Sequence, residues 1–146
     1  MASTAETAAA RIASILTAAG MASGRVFRDR TTAFAEEESP AILVEIIEDD
    51  AEHFGGVQTS VPGAAFDRLM VSLSITYMTR SDDWQTQLDT LRQQAHGLLL
   101  ADEALATTLN GFRRTTANWD SATADTPFGT LIQRYSGKTV VDSLQL

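Results

Sequence analysis

Between Phe66 and Leu100 the chain carries one long alternating segment followed, after a short break, by one amphipathic segment. Leu69, Val71, Leu73, Ile75 and Tyr77 fall on one face of the first, and Arg68, Ser72, Ser74 and Thr76 on the other. A period of two with a single apolar face predicts a β-strand buried on one side. Ser81-Asp82-Asp83 then supplies capping and first-turn residues, and Trp84, Leu88, Leu91, Ala95, Leu98 and Leu99 recur at helical spacing. A fold that satisfies both patterns lays that helix on that strand. The pair is scaffold and carries no catalytic constellation of its own.

The other elements are read from the same signals. Ser3 to Ala19 reads as a helix, with a capping-box spacing at Ser3 and Glu6 and an apolar stripe of Ala8, Ile12, Ile15 and Ala19. Gly20 or Gly24 ends it. Gly24 to Arg28 is a short strand candidate, and Thr31 to Ser39 a polar link with the acidic run Glu36-Glu37-Glu38. Pro40 opens a strand from Ala41 to Glu48. Ile42, Val44 and Ile46 line one face of that strand, with Leu43 and Ile47 on the other. Apolar residues on both faces predict a central strand, or one covered by another subunit.

Asp49 to Ala65 reads as a long loop, with Gly55-Gly56, Pro62 and Gly63 in it; such length predicts a mobile or functional segment. Asp102 to Asn110 reads as a short second helix. Phe112 to Ser121 and Phe128 to Ser136 read as strands, the latter broken at Gly137. The whole, residues 1–146, is read as a single domain. The expected fold is α+β: a two-layer sandwich in which a mainly antiparallel sheet of about four to six strands carries two main helices on one face.

Charge and composition restrict function. A formal net charge of -8 opposes tight nucleic-acid binding, because phosphate affinity comes from Lys and Arg. It does not oppose DNA sliding past an acidic wall. There is no Cys, so disulfides, thiolate nucleophiles and Cys-based metal sites are all excluded. The N-terminus has no basic cluster or continuous apolar run, and no segment has the length and apolarity of a membrane span. The expected setting is a cytoplasm, or a particle assembled there.

The two histidines offer little chemistry. His53 lies among Glu48, Asp49, Asp50 and Glu52, which are ligand types for a metal. Their spacing matches no calcium loop or zinc motif, and the reading is a solvated acidic loop without metal. His96 reads as a helix-surface histidine. Gly137-Lys138-Thr139 resembles the end of a phosphate loop, but the earlier glycine and the following helix are missing. No serine sits in a nucleophile elbow. Arg113-Arg114 reads as ion-pair partners rather than a nucleic-acid patch, Trp84 as core, and Trp119 as an interface anchor. No catalytic residue and no cofactor is assigned.

Several patches, taken in order, resemble the tail terminator, or tail completion, proteins of long-tailed bacteriophages. They are the N-terminal helix followed by Gly24-Arg25-Val26-Phe27-Arg28-Asp29-Arg30, then Ser39-Pro40-Ala41-Ile42-Leu43-Val44-Glu45, then the alternating strand and the helix ending Leu98-Leu99-Leu100-Ala101-Asp102. Asn118-Trp119-Asp120, Asp125-Thr126-Pro127-Phe128-Gly129 and Thr130-Leu131-Ile132-Gln133-Arg134-Tyr135 complete the set. The resemblance covers nearly the whole chain and departs from the pattern at the long loop and at Gly137.

It implies a structural, non-enzymatic virion protein: a hexameric ring that caps the head-proximal end of the tail tube and stops its growth. Its implied partners are further copies of itself, the tail tube protein and the head–tail connector, with DNA passing through unbound and no membrane. On that reading Arg28, Arg30, Trp119, Arg113 and Arg114 are interface candidates. Glu48, Asp49, Asp50 and Glu52 are candidates for an acidic loop or lumen, and the loop is expected to order on assembly. The alternatives are a head-completion or neck protein, an adaptor binding through Trp119, and a small α+β ligand-binding or enzymatic dimer using the acidic loop.

Overall fold

The computed structural model describes residues 2–30, 34–54, 66–122 and 127–142. Ser3 starts the first helix, α1 (Thr4–Ala18), by accepting a 3.2 Å hydrogen bond from the Glu6 amide. The reciprocal half of the expected capping box is replaced: the Glu6 carboxylate grips Arg28 instead. The buried stripe is Ala5, Ala8, Ala9, Ile12 and Leu16, so Ile15 is displaced to the margin and Ala19 to solvent. Gly20 ends α1 in the left-handed region at φ +69°, where a side chain would be strained.

Strands β1 (Val26–Phe27), β2 (Ala41–Phe54) and β3 (Phe66–Arg80) follow, then α2 (Trp84–Leu100), α3 (Glu103–Thr108), β4 (Asn110–Ala122) and β5 (Phe128–Asp142). They form an α+β sandwich with one five-stranded sheet ordered β1-β2-β3-β5-β4. Every pairing is antiparallel except the two-residue β1–β2 contact. The β4–β5 hairpin folds back so that β5 inserts between β3 and β4. Helix α1 lies on β2 and β3, α2 lies on β3 and β5, and α1 touches both other helices.

The central strand β3 buries its apolar face as its alternation predicts, with Ser74, Met78 and Thr79 buried as well. Val71, Leu73, Ile75 and Tyr77 are fully buried under the helices and Leu69 nearly so, together with Ile42, Val44, Leu131 and Tyr135 from the flanking strands and Leu88, Ala95 and Leu99 from α2. Arg68, Ser72, Ser74 and Thr76 lie on the opposite face, outside the core that the helices share with Leu69–Tyr77, and Ser74 there is buried between Glu45 and Arg134 of the flanking strands.

Two expectations are corrected. The loop does not begin at Asp49: β2 continues through Phe54, because each residue from Glu48 onward pairs with β3, after a bulge at Ile47. Only residues 55–65 of that expected loop lie outside the described residues. Gly137 does not break the last strand, since β5 pairs with β3 without interruption from Phe128 to Asp142. It is a glycine for space, as a Cβ there would stand 2.7 Å from Leu109 Cβ. Of the two readings of β2, the central one holds only at Ile42 and Leu43, where β1 pairs; beyond them no strand among the described residues flanks it on that side, and Ile46 and Ile47 are exposed.

Polar joints hold the layers in register. Ser39 Oγ accepts from the Arg80 amide at 2.8 Å, and Thr79 Oγ1 donates to Gln87 Oε1 at 2.8 Å, linking the entry to β2, the exit of β3 and the start of α2. Asp102 caps α3 by accepting from the Leu105 amide at 2.9 Å and accepts from Arg11 Nη2 and Nε at 2.6 and 3.0 Å, joining α3 to α1. Hydrogen bonding to Arg11 holds the Asp102 carboxyl below the usual range; Arg28 and Arg30 do the same to Glu6 and Glu38.

Each of these acids ionises more readily folded than unfolded, so near pH 4 the unfolded chain binds more protons. The stability they contribute is present above pH of about 4.5 and is lost as pH falls through their lowered folded values. Urea titrations should therefore show a midpoint that drops steeply below pH of about 4, and Asp102→Asn should flatten part of that drop. An unchanged acid limb in Asp102→Asn would contradict the assignment.

Candidate functional site

The Trp residues, 35 positions apart by number and unrelated by spacing, meet at the β4 end of the sheet. Trp84, at the first turn of α2, lies over Gly129 of β5, and Trp119 of β4 leans on it with ring centroids 6.3 Å apart and planes tilted by 54°. Arg92 sits over the Trp119 ring at 5.4 Å and pairs with Asp89 at 2.8 Å. Beside them runs an open cleft of about 530 Å³ lined by Gln85, Thr86, Asp89, Thr90 and Trp119. Trp119 keeps 39% of its surface exposed there. An aromatic floor with hydroxyl and amide walls suits a protein side chain.

A smaller pocket of about 140 Å³ adjoins it, lined by Arg92, Gln93, His96, Arg114 and Gln133. His96 is not a free surface residue. Its Nδ1 shares a 2.9 Å hydrogen bond with Tyr135 Oη, and that hydroxyl accepts from Gln133 Nε2 at 2.7 Å. Tyr135 stacks on Phe112 at 5.0 Å. Burial pushes the Tyr135 hydroxyl upward, against the lowering effect of the Gln133 hydrogen bond. Burial pushes Tyr77 up further, so both stay protonated. Tyr77 Oη and Gln133 Oε1 are buried without a partner among the described residues. The pocket can hold a small polar group, presented with guanidinium donors and one amide acceptor.

The interface candidates are distributed unevenly. Arg28 holds both oxygens of Glu6, at 2.5 and 3.0 Å. Arg30 holds both oxygens of Glu38, at 2.6 and 2.7 Å, and lies over Phe27 and Phe34. These two guanidiniums fasten the N-terminal segment to itself. Arg113 and Arg114 are exposed on β4 and have no intramolecular carboxylate partner among the described residues, although an ion pair was the expectation.

Glu48, Asp49 and Asp50 are exposed on β2, and the Glu52 backbone continues that strand opposite Arg68. His53 pairs through its backbone with Asp67, and its side chain lies outside the described residues, as does the metal question it raised. Among the described residues no group of three His, Cys, Asp or Glu side chains is placed to hold a metal ion, and no helix is long and apolar enough to cross a membrane. No family model and no curated protein matches this chain.

Proposed function

We propose that the protein is a structural subunit of a long-tailed bacteriophage, forming the ring that ends the tail tube and receives the head connector. One observation carries this reading: the sheet is layered by helices on one face and, among the described residues, leaves two long edge strands unpaired, β2 beyond Leu43 and β4 along its length. Exposed edges with unpaired amides and carbonyls are surfaces for addition of further chains. The order of elements, from the N-terminal helix to the Trp119 and Thr130–Tyr135 strands, supports the same reading through the resemblance described above. The acidic residues of β2 are compatible with DNA passing unbound.

The test is the mass of the purified protein in solution, alone and with isolated tail tubes. Closed oligomers, or a monomer that becomes an oligomer on tube ends, are the expected result. A stable dimer indifferent to tubes would overturn the reading and favour a ligand-binding protein using the Trp119 cleft.

A further inference from the structure

Arg68 of β3 is engaged, and the other cations sort into three groups. Arg11, Arg28, Arg30 and Arg92 are paired with Asp102, Glu6, Glu38 and Asp89. Arg25 donates to the Ser39 and Pro40 carbonyls, and Arg80 stacks over Phe128. Arg113, Arg114, Arg134 and Lys138 have no carboxylate partner among the described residues. All four are exposed, and all lie on β4 and β5, the side of the sheet that ends in the free β4 edge. At the other edge, β2 carries Glu45, Glu48, Asp49 and Asp50, all exposed, with no ion pair to them among the described residues and no Lys or Arg on the strand. In a chain of net charge -8, Arg113 and Arg114 thus stand on the edge strand opposite the acidic one, while Arg134 and Lys138 of β5 lie across β3 from Glu45 and Asp50.

Both edge strands also carry exposed apolar side chains, although Met70, Leu100 and Val140 are exposed away from the edges. Ile46 and Ile47 are 38% and 45% exposed on β2, and Trp119 is exposed on β4. An isologous contact would set β2 against β2 or β4 against β4, placing acid against acid or Arg against Arg. A head-to-tail contact places each edge against its opposite. The strands have the right sense for it: β2 and β4 run antiparallel within one subunit, through β3 and β5. Rotating one copy about an axis near the strand direction therefore brings its β4 antiparallel to a neighbour's β2. Two bulges flank Arg113-Arg114 and re-aim that pair, while Thr116–Ala122 pairs regularly with β5 and keeps a straight outer edge.

We infer that copies of this chain join head to tail, the β2 edge of one against the β4 edge of the next, with Glu45, Glu48, Asp49 and Asp50 opposite Arg113 and Arg114. This deepens the ring reading and rests on it for closure; the edge contact itself is separately testable.

The test is charge exchange, read by sedimentation with circular dichroism as the folding control. One variant carries Glu45→Lys and Glu48→Lys, a second Arg113→Glu and Arg114→Glu, and a third all four changes. Each of the first two should self-associate about tenfold or more weakly than the parent. Mixed together they should recover, because each new edge finds its complement, and the third should recover alone. Parent-like association of the first two, or no recovery in the mixture and the third, overturns the inference.

A cysteine pair provides the second measurement, since the chain has no Cys of its own. Glu48→Cys with Arg113→Cys in one chain should oxidise to a ladder of covalent oligomers, while either change alone should give no covalent dimer. Dimers from a single change, or no ladder from the pair, count against the head-to-tail contact. Tube-dependent oligomers with no edge cross-link would sink this inference and leave the ring; cross-linking with indifference to tubes would sink the tail reading and leave the edge contact.

Discussion

Gly129→Ala is expected to destabilise the fold by about 2 kcal/mol, within the range seen for overpacked cores. The added Cβ would stand 2.1, 2.4 and 2.8 Å from Cε3, Cδ2 and Cγ of Trp84. Those are atoms of the indole at its base and fusion, not the end of a flexible chain. The ring cannot swing freely, because Trp119 lies on it. Urea unfolding measures the loss as a lowered midpoint at constant slope. Trp84→Leu in the same chain removes the obstacle, so the two changes together should cost less than their sum by about 1 kcal/mol or more. Strict additivity would show that the indole does not set the requirement for glycine.

Leu73→Ala should cost more, about 2–5 kcal/mol, the range for removing a large aliphatic side chain from a rigid interior. Leu73 is fully buried at the middle of β3, with Ile46 and Tyr135 as its partners on the two flanking strands. It has strands on both sides and helices above, so the site has little freedom to collapse. Ser72→Ala, one residue away on the opposite face, should change stability by no more than about 0.5 kcal/mol. Equal losses at the two positions would mean that the other face is also part of a packed core.

The elements legible in the sequence are those in which periodicity and burial coincide. Leu69 to Tyr77 and Trp84 to Leu99 alternate or recur as they are packed, and Ser3 marks the start of α1 by the residue type that satisfies an exposed amide. The second half of β2 was not legible, because Glu48, Asp49 and Asp50 are all polar and a strand facing solvent at its edge need not alternate. Gly137 read as a break, since a close approach by Leu109 of a distant element leaves no trace in local sequence. The same limit hid the meeting of Trp84 with Trp119 and the hydrogen bonds joining His96, Tyr135 and Gln133. Arg28 and Arg30 looked available for a partner because their carboxylates, Glu6 and Glu38, are assigned only by the fold.

The insertion of β5 between β3 and β4 has a consequence for the order in which the molecule is made. Along its whole length β3 needs a neighbour that is synthesised after β4, and β4 itself has no strand to pair with until β5 returns beside it. Sheet closure thus waits for β5 to emerge from the ribosome, while the helices that cover the sheet are already available. A nascent chain halted after Ala122 presents the bare side of its most apolar strand, and that interval is when a chaperone has most to shield.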